Sequence, residues 1–249
     1  MIDLHSHVLP ALDDGAADLD EAVAICEAAA ADGIEVLAAT PHVRHDFPTT
    51  AEEMESALAA VRAAAGNIVR LVPGGELDLA ELVRPLEELR RFALAGNPRY
   101  LLVETPYYGW PVELGERLFR LRSAGITPVL AHPERNADVQ ATPWLLDPIV
   151  AGGTLVQLTA SSVDGRVGRR ARACSAALLE RGLAHLIASD AHAPEIRAIG
   201  MAAAARELGD DDLARWLTIG VPRAILDGTA LPPRPGISPS RRRWFSGSG

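Results

Sequence analysis

Seven short apolar segments of β type alternate with helical stretches along the chain, and this order constrains the fold more than any other feature of the sequence. The segments are Ile2–Leu4, Val36–Ala39, Ile68–Val72, Tyr100–Val103, Pro128–Ala131, Leu155–Leu158 and His185–Ala188. Helical patterns lie between them at Leu19–Ala31, Ala51–Ala64, Leu79–Leu94, Val112–Ser123, Trp144–Val150 and Arg169–Arg181. Two more follow the last segment, at Glu195–Leu208 and Asp211–Leu217. A strand, a helix and a second strand in succession imply parallel pairing, with helices covering the sheet. Gly33, Gly125, Gly152 and Gly182 stand where helix C-terminal caps are expected. A length of 249 residues suits one α/β domain. Seven units suit a closed barrel, with an open doubly wound sheet as the alternative.

The chemistry-bearing residues fall at the same end of these segments. His5 and His7 follow the first, with Asp13 and Asp14 shortly after; His42 follows the second and Glu76 the third. Glu104 follows the fourth, His132 the fifth, and Asp190 and His192 the seventh. Parallel strands of a barrel all end on one face, so residues remote in sequence should converge there. The alternation in His5-Ser6-His7 turns both imidazoles to one side, which suits chelation, and Asp190-Ala191-His192 repeats the spacing. A carboxylate at the end of a buried strand needs a cation or strong donors nearby. His185 opens the seventh segment, so it belongs to the opposite end and reads as structural. His45 either borders the site or faces solvent.

Imidazoles and carboxylates without cysteine suit Zn, Mn or Fe. Nine candidate ligands exceed the needs of one ion; two or three are the natural count, and such clusters suit hydrolysis of phosphate esters. Three divalent ions would outweigh the four carboxylates Asp14, Glu76, Glu104 and Asp190, leaving positive charge for an anionic substrate. The formal net charge of −9 argues against nucleic acid as a partner. Two other phosphate chemistries are excluded. A cysteine-based phosphatase needs Cys, five residues and Arg, whereas Asp32 stands six after Cys26 and Glu180 six after Cys174. A GxxxxGK[ST] loop is impossible because all 24 basic residues are Arg.

The opening His5-Ser6-His7-Val8-Leu9-Pro10-Ala11-Leu12-Asp13-Asp14-Gly15 resembles the first motif of the PHP (polymerase and histidinol phosphatase) superfamily. More narrowly, its HxHxLPxxDDG pattern resembles the bacterial protein-tyrosine phosphatases linked to capsular and exopolysaccharide synthesis. The likeness continues in order through Thr40-Pro41-His42, Gly75-Glu76, Val103-Glu104, His132-Pro133-Glu134-Arg135-Asn136 and Ser189-Asp190-Ala191-His192, nearly the whole chain. It implies a distorted (β/α)7 barrel of the PHP type holding three divalent ions, manganese foremost, with Fe or Zn as alternatives. By the resemblance, His5, His7, Glu76 and Asp190 hold one ion. Glu76 bridges to a second, held also by Glu104 and His132, and Asp14, His42 and His192 hold the third. Glu104 stands where many superfamily members carry His, as it does in the tyrosine phosphatases. The family pattern selects Asp14 over Asp13; the sequence alone does not. Arg135 and Arg197 match phosphate-binding arginines, whose planar fork fits phosphate oxygens. Arg44 and His45 are candidates for the rim.

The activity implied is metal-dependent hydrolysis of a phosphomonoester, by a protein-tyrosine phosphatase acting in exopolysaccharide or capsule regulation. The alternatives are a small-molecule phosphatase of the histidinol-phosphate type and a catalytically silent metal-binding regulatory module. The partners implied are a phosphotyrosine protein and a membrane-associated tyrosine kinase. The opening MIDLHSH lacks a basic stretch leading into an apolar one, and no apolar run is long enough to span a bilayer, so a cytoplasmic location is expected. The enzyme domain is expected over residues 1–231. Residues 232–249, PPRPGISPSRRRWFSGSG, read as a flexible Pro/Arg-rich tail whose Arg241–Arg243, Trp244 and Phe245 suit at most a weak contact with an anionic membrane.

Overall fold

Runs such as Leu101-Leu102-Val103 and Val129-Leu130-Ala131 are buried on both faces, which is what a parallel sheet between helices requires of its strands. The computed structural model describes residues 1–194 and 198–236 as a mixed α/β fold. Among the described residues the strands are β1 (Ile2–Asp3), β2 (Val36–Ala39), β3 (His42–Arg44), β4 (Phe47–Pro48), β5 (Arg70–Pro73), β6 (Glu76–Leu77), β7 (Tyr100–Glu104), β8 (Thr127–Ala131), β9 (Leu155–Thr159) and β10 (Leu186–Ala188). They form a three-stranded sheet, β1-β2-β5, and a seven-stranded one, β10-β9-β8-β7-β6-β3-β4. Every pairing is parallel except that of β3 with β4.

The chain passes twice from the small sheet to the large one, at Thr40-Pro41 and at Gly74-Gly75. Pro41 has no N–H with which to continue a ladder. A Cβ on Gly75 would come within 2.8 Å of Phe92 Cδ1, so a side chain there would force the buried phenyl ring aside. The two crossings lie side by side: Glu76 N donates to Pro41 O at 3.0 Å, and His42 pairs opposite Glu76. Neither sheet closes on itself. Their free edges meet where Ser6 bridges Ala191, with Asp190 N donating to His5 O at 2.9 Å and His7 N to Ala191 O at 2.8 Å.

The helices Leu19–Ala31 and Ala51–Ala65 start where their caps dictate. Asp18 accepts from Glu21 N, and Thr50 and Glu53 form a reciprocal capping box. The helix expected over 79–94 is broken into a 3-10 turn at Leu79–Val83, a helix at Leu86–Arg91 and a second turn at Leu94–Gly96. Pro85 is the cause, since it holds Arg84 extended (φ −56°, ψ 160°). The stretch expected over 144–150 is a 3-10 turn, Pro143–Leu146, running into the helix Asp147–Ala151. Gly153, not Gly152, takes the left-handed conformation there. The helix expected from Glu195 is seen from Met201, and residues 195–197 lie outside the described residues. The helix Val221–Asp227 was not expected; it runs on from the helix Asp211–Arg215 through a π-helical turn, Trp216–Gly220, so Pro222 follows a widened turn within a continuous helical stretch.

Residues 232–236, the start of the expected tail, have no regular secondary structure yet are held to the body. Trp216 Nε1 donates to Pro232 O at 2.9 Å, and Arg234 donates to Leu179 O at 2.6 Å and Ala184 O at 3.2 Å. Arg241–Arg243, Trp244 and Phe245 lie outside the described residues. No helix among the described residues is long and apolar enough to cross a membrane.

Candidate metal centre

Two hydrogen bonds fix the tautomers of His5 and His7. His5 Nδ1 donates to Gln157 Oε1 at 2.9 Å and His7 Nδ1 donates to Asp13 Oδ2 at 2.7 Å. When neutral, each ring therefore presents a bare Nε2 lone pair, and the two Nε2 atoms face each other at 3.2 Å. Glu76 Oε2 lies 3.3 and 3.4 Å from them, and Asp190 Oδ1 3.4 and 3.3 Å. Four buried electron-pair donors thus converge, which is repulsive unless a cation sits among them. Separations of 3.2 Å between the imidazoles and 3.3–3.4 Å from them to each carboxylate suit side chains that would share a cation.

The cluster extends from there. Glu76 Oε1 lies 2.7 Å from His132 Nε2, while Glu76 Oε2 lies 2.9 Å from His42 Nδ1. His42 Nδ1 is 3.6 Å from Glu104 Oε2, and its Nε2 is 3.4 Å from Asp14 Oδ1, which in turn lies 3.2 Å from His192 Nε2. His42 Nδ1 and Glu76 Oε2 are both buried and neither makes a hydrogen bond of workable geometry, despite their 2.9 Å separation. Buried polar atoms left so are costly, and a shared cation relieves both. Four groups of side chains are able to hold an ion: His7, Asp14, His42 and His192; His5, His7 and Asp190; His5, Glu76 and His132; and His42, Glu76 and Glu104. All nine sequence candidates belong to at least one. The grouping differs in detail from that implied by the resemblance. Glu104 gathers with His42 and Glu76, whereas His132 gathers with Glu76 and His5.

The electrostatics show a site that draws in positive charge. Burial opposes protonation of His5, yet Glu76 and Asp190 outweigh it and raise its pKa. Burial is likewise overcome at His7 by Asp13, which holds it well above its usual value, and at His42 by Glu76 and Asp14, which bring it to about 9. Glu76 and Asp190 are held well below the ordinary carboxylate range in spite of burial, chiefly by His5. Hydrogen bonds from His192 and His42 lower Asp14 as well. Glu104 is raised, by burial and by the neighbouring Glu76. Protons and metal ions would compete for the same lone pairs.

The backbone is bent to serve this geometry. His132 (φ 34°) and Asp190 (φ 54°) are non-glycine residues in the left-handed region, at a cost of about 1–3 kcal/mol each. Gly15 packs its Cα against His7 so closely that a Cβ would overlap the His7 carbonyl and Cβ.

Arg135, among the sequence candidates for phosphate binding, reaches the cluster: its Nη1 donates to Asp190 Oδ2 at 2.6 Å. Its Cζ lies 5.1 Å from the centroid of the Tyr107 ring, which is parallel to His132 within 5°. Arg197 lies outside the described residues. Arg44 donates to both Glu104 oxygens at 3.3 Å and pairs with Asp46, while His45 is exposed. His185 is remote from the cluster, its Nδ1 accepting from Val156 N at 3.1 Å. Asp13 and Asp14 divide their labour: Asp14 faces His42 and His192, and Asp13 holds His7. Sequence reasoning missed Gln157 and Tyr107. Gln157 had a signal, being the one amide in the otherwise apolar strand Leu155–Leu158, whereas Tyr107 had none. Burial pushes the thiols of Cys26 and Cys174 up to about 11 and about 12, so neither is a ready nucleophile.

The family described as capsular polysaccharide synthesis, CpsB/CapC, matches residues 1–226. The tyrosine-protein phosphatase YwqE of Bacillus subtilis is 35% identical over 202 residues, covering 77% of each chain. The tyrosine-protein phosphatase CpsB of Streptococcus agalactiae is 26% identical over 210 residues, covering 79% of this chain and 85% of that one. A solved structure from work on YwqE of B. subtilis and CpsB of Streptococcus pneumoniae, described as metal-dependent tyrosine phosphatases, superposes with a TM-score of 0.83 at 28% identity. It covers 96% of this chain and 100% of that one.

Proposed function

The chain belongs to the CpsB/CapC family of capsular polysaccharide synthesis, and we propose that its buried His–carboxylate cluster removes phosphate from phosphotyrosine on proteins. It is a metal-dependent tyrosine phosphatase, as its relatives are. The observation that carries the reading is the 3.2 Å approach of His5 Nε2 to His7 Nε2, two lone pairs aimed at one point beside Glu76 and Asp190. Three divalent ions, manganese foremost, suit nine ligands in four overlapping groups. The strand order and the Ser6–Ala191 bridge support a distorted (β/α)7 barrel of the PHP type over residues 1–231.

Bound divalent ions supply a water of lowered pKa and neutralise charge on phosphate. The chain's own groups do the rest. Gln157 and Asp13 hold the His5 and His7 rings so that their Nε2 atoms stay directed inward. The Arg135 guanidinium, fully charged and mostly buried, offers its remaining N–H groups to the phosphate oxygens, and Arg197 is assigned the same task. Arg44 is held against Glu104. A tyrosine phenolate is a comparatively good leaving group, with a free pKa of about 10, so a dedicated acid is not required. The setting we propose is cytoplasmic, opposite a membrane-associated tyrosine kinase, with Arg241–Arg243, Trp244 and Phe245 giving at most a weak membrane contact.

A single comparison tests the reading. Purified protein supplied with Mn should hydrolyse a phosphotyrosyl peptide far faster than histidinol phosphate or a phosphodiester. Preference for histidinol phosphate would move the substrate to the small-molecule class. Inactivity on all three with metal bound would leave a silent metal-binding module.

A further inference from the structure

Aromatic residues are scarce in this chain, which has 4 Trp, 3 Tyr and 4 Phe among 249 residues, yet Tyr107, Tyr108 and Trp110 fall together. The segment they occupy, Pro106–Val112, leaves the end of β7 immediately after Glu104 and Thr105, so it borders the cluster. It is pinned to the stretch that carries His132 and Arg135. Asn136 Nδ2 donates to Pro106 O at 2.6 Å and to Gly109 O at 3.2 Å, and Ala137 N donates to Tyr107 O at 2.9 Å. Tyr107, 40% exposed, lies against Arg135 and His132, and Trp110 is half-buried against the core. Tyr108 and Val112, by contrast, are 83% and 95% exposed. Pro106–Val112 carries no charged side chain. Tyr108 and Val112 thus leave apolar surface uncovered on a neutral segment that starts at the edge of the charged site.

Building on the phosphotyrosine reading, we propose that Tyr108 and Val112 form a docking rim for the polypeptide that carries the phosphotyrosine, taking apolar side chains that flank it. On this reading the phosphate sits at the cluster within reach of the remaining Arg135 N–H groups, and Arg135 lies against Tyr107, the neighbour of Tyr108 in the chain. An extended polypeptide advances about 3.3–3.6 Å per residue, so side chains one to three positions from the phosphotyrosine come over this rim. Tyrosine serves well there, because it gives a large contact area at low conformational cost. The absence of charge in the segment selects apolar flanking residues rather than acidic or basic ones.

The test compares substrates that share the phosphate but differ in what surrounds it. Wild-type holoenzyme should show a kcat/KM at least about tenfold higher on a phosphotyrosyl peptide flanked by Leu and Val than on one flanked by Ser and Gly. The double variant Tyr108→Ser/Val112→Ser should lose that preference through KM, with metal content and activity on free phosphotyrosine unchanged. Equal rates of the wild type on both peptides overturn the proposal without use of any variant. A variant that keeps the preference, or that loses activity equally on free phosphotyrosine, overturns it as well. A change from dimer to monomer in sedimentation, with peptide preference retained, would assign the rim to a second copy of the chain instead. If wild type hydrolyses neither peptide nor free phosphotyrosine, the phosphatase reading itself has failed, an outcome distinct from loss of preference alone.

Discussion

Arg135 Nη1 donates a 2.6 Å hydrogen bond to Asp190 Oδ2, while Asp190 Oδ1 faces the two Nε2 atoms of His5 and His7. One carboxylate thus ties the proposed phosphate clamp to the proposed metal ligands. Replacing Arg135 by Ala should lower turnover by roughly 10²–10³, the usual cost of losing one electrostatic donor in the transition state. Lys should not restore it, because a single ammonium cannot keep the Asp190 bond and present a fork to phosphate. Metal content should hold, since Asp190 keeps its place by backbone bonding to His5. Wild-type kinetics in Arg135→Ala would make this arginine a structural tie only.

Asp13 and Asp14 are adjacent but should fail differently. Asp13→Asn keeps a side chain of the same shape against His7, so ion binding should persist with affinity reduced about 10–100-fold, as for other outer partners of ligating imidazoles. Asp14→Ala should remove a ligand facing His42 and His192 and lower the number of ions bound. Metal titration followed by elemental analysis separates the two outcomes. Identical losses in both variants would contradict the division of roles.

This pair also shows where sequence reasoning reached its end. Strand order located His42, Glu76, Glu104 and His132 because each follows an apolar run, and the polarity of parallel strands did the rest. It did not foresee that the chain changes sheets at Thr40-Pro41 and Gly74-Gly75, because those breaks depend on how Phe92 and Thr40 pack against the glycines. Which of two adjacent aspartates faces the cluster is a matter of one turn's geometry, fixed by Gly15 lying against His7. The apolar spacing over 79–94 predicts one helix, whereas in the fold Pro85 holds Arg84 extended and breaks it. Tyr107 left no trace in the pattern, since its role comes from Asn136, which is remote in sequence and pins its loop.

Removing the ions should destabilise the protein as well as silence it. The four carboxylates converge with buried imidazoles, and bound cations relieve their repulsion. A ligand present at 100 times its Kd adds about 2.7 kcal/mol to folding stability. Chelation should therefore lower Tm by several degrees, and Mn, Zn or Fe should restore it. The variant His5→Ala/His7→Ala should show neither the loss nor the recovery in full. About three ions per chain are expected by elemental analysis of the wild type. Absence of bound metal together with a Tm indifferent to Mn, Zn and Fe would refute the metal centre.

At the other end of the strands, His185 should give the fold a pH dependence of its own. Burial, assisted by the nearby Arg234 guanidinium, depresses its pKa to about 4, and its Nδ1 accepts from Val156 N and so needs a bare lone pair. Unfolded, the same imidazole titrates near 6.5. Above that value both states are neutral and the contribution of His185 is fully present. As pH falls from about 6.5 to about 4 the unfolded chain takes up a proton that the fold refuses, and stability drops by roughly 3 kcal/mol. Below about 4 the folded state is protonated too and the loss levels off. His185→Asn retains an acceptor for Val156 N but cannot titrate. Urea unfolding of wild type and variant at pH 7 and pH 4.5 should show the difference between them shifting by about 2–3 kcal/mol in the variant's favour at the lower pH. Taking the difference cancels the carboxylates and metal ligands that titrate in the same range, because both proteins carry them. A gap between the two proteins that stays constant across that interval would place the His185 pKa near its ordinary value and remove burial as its governor.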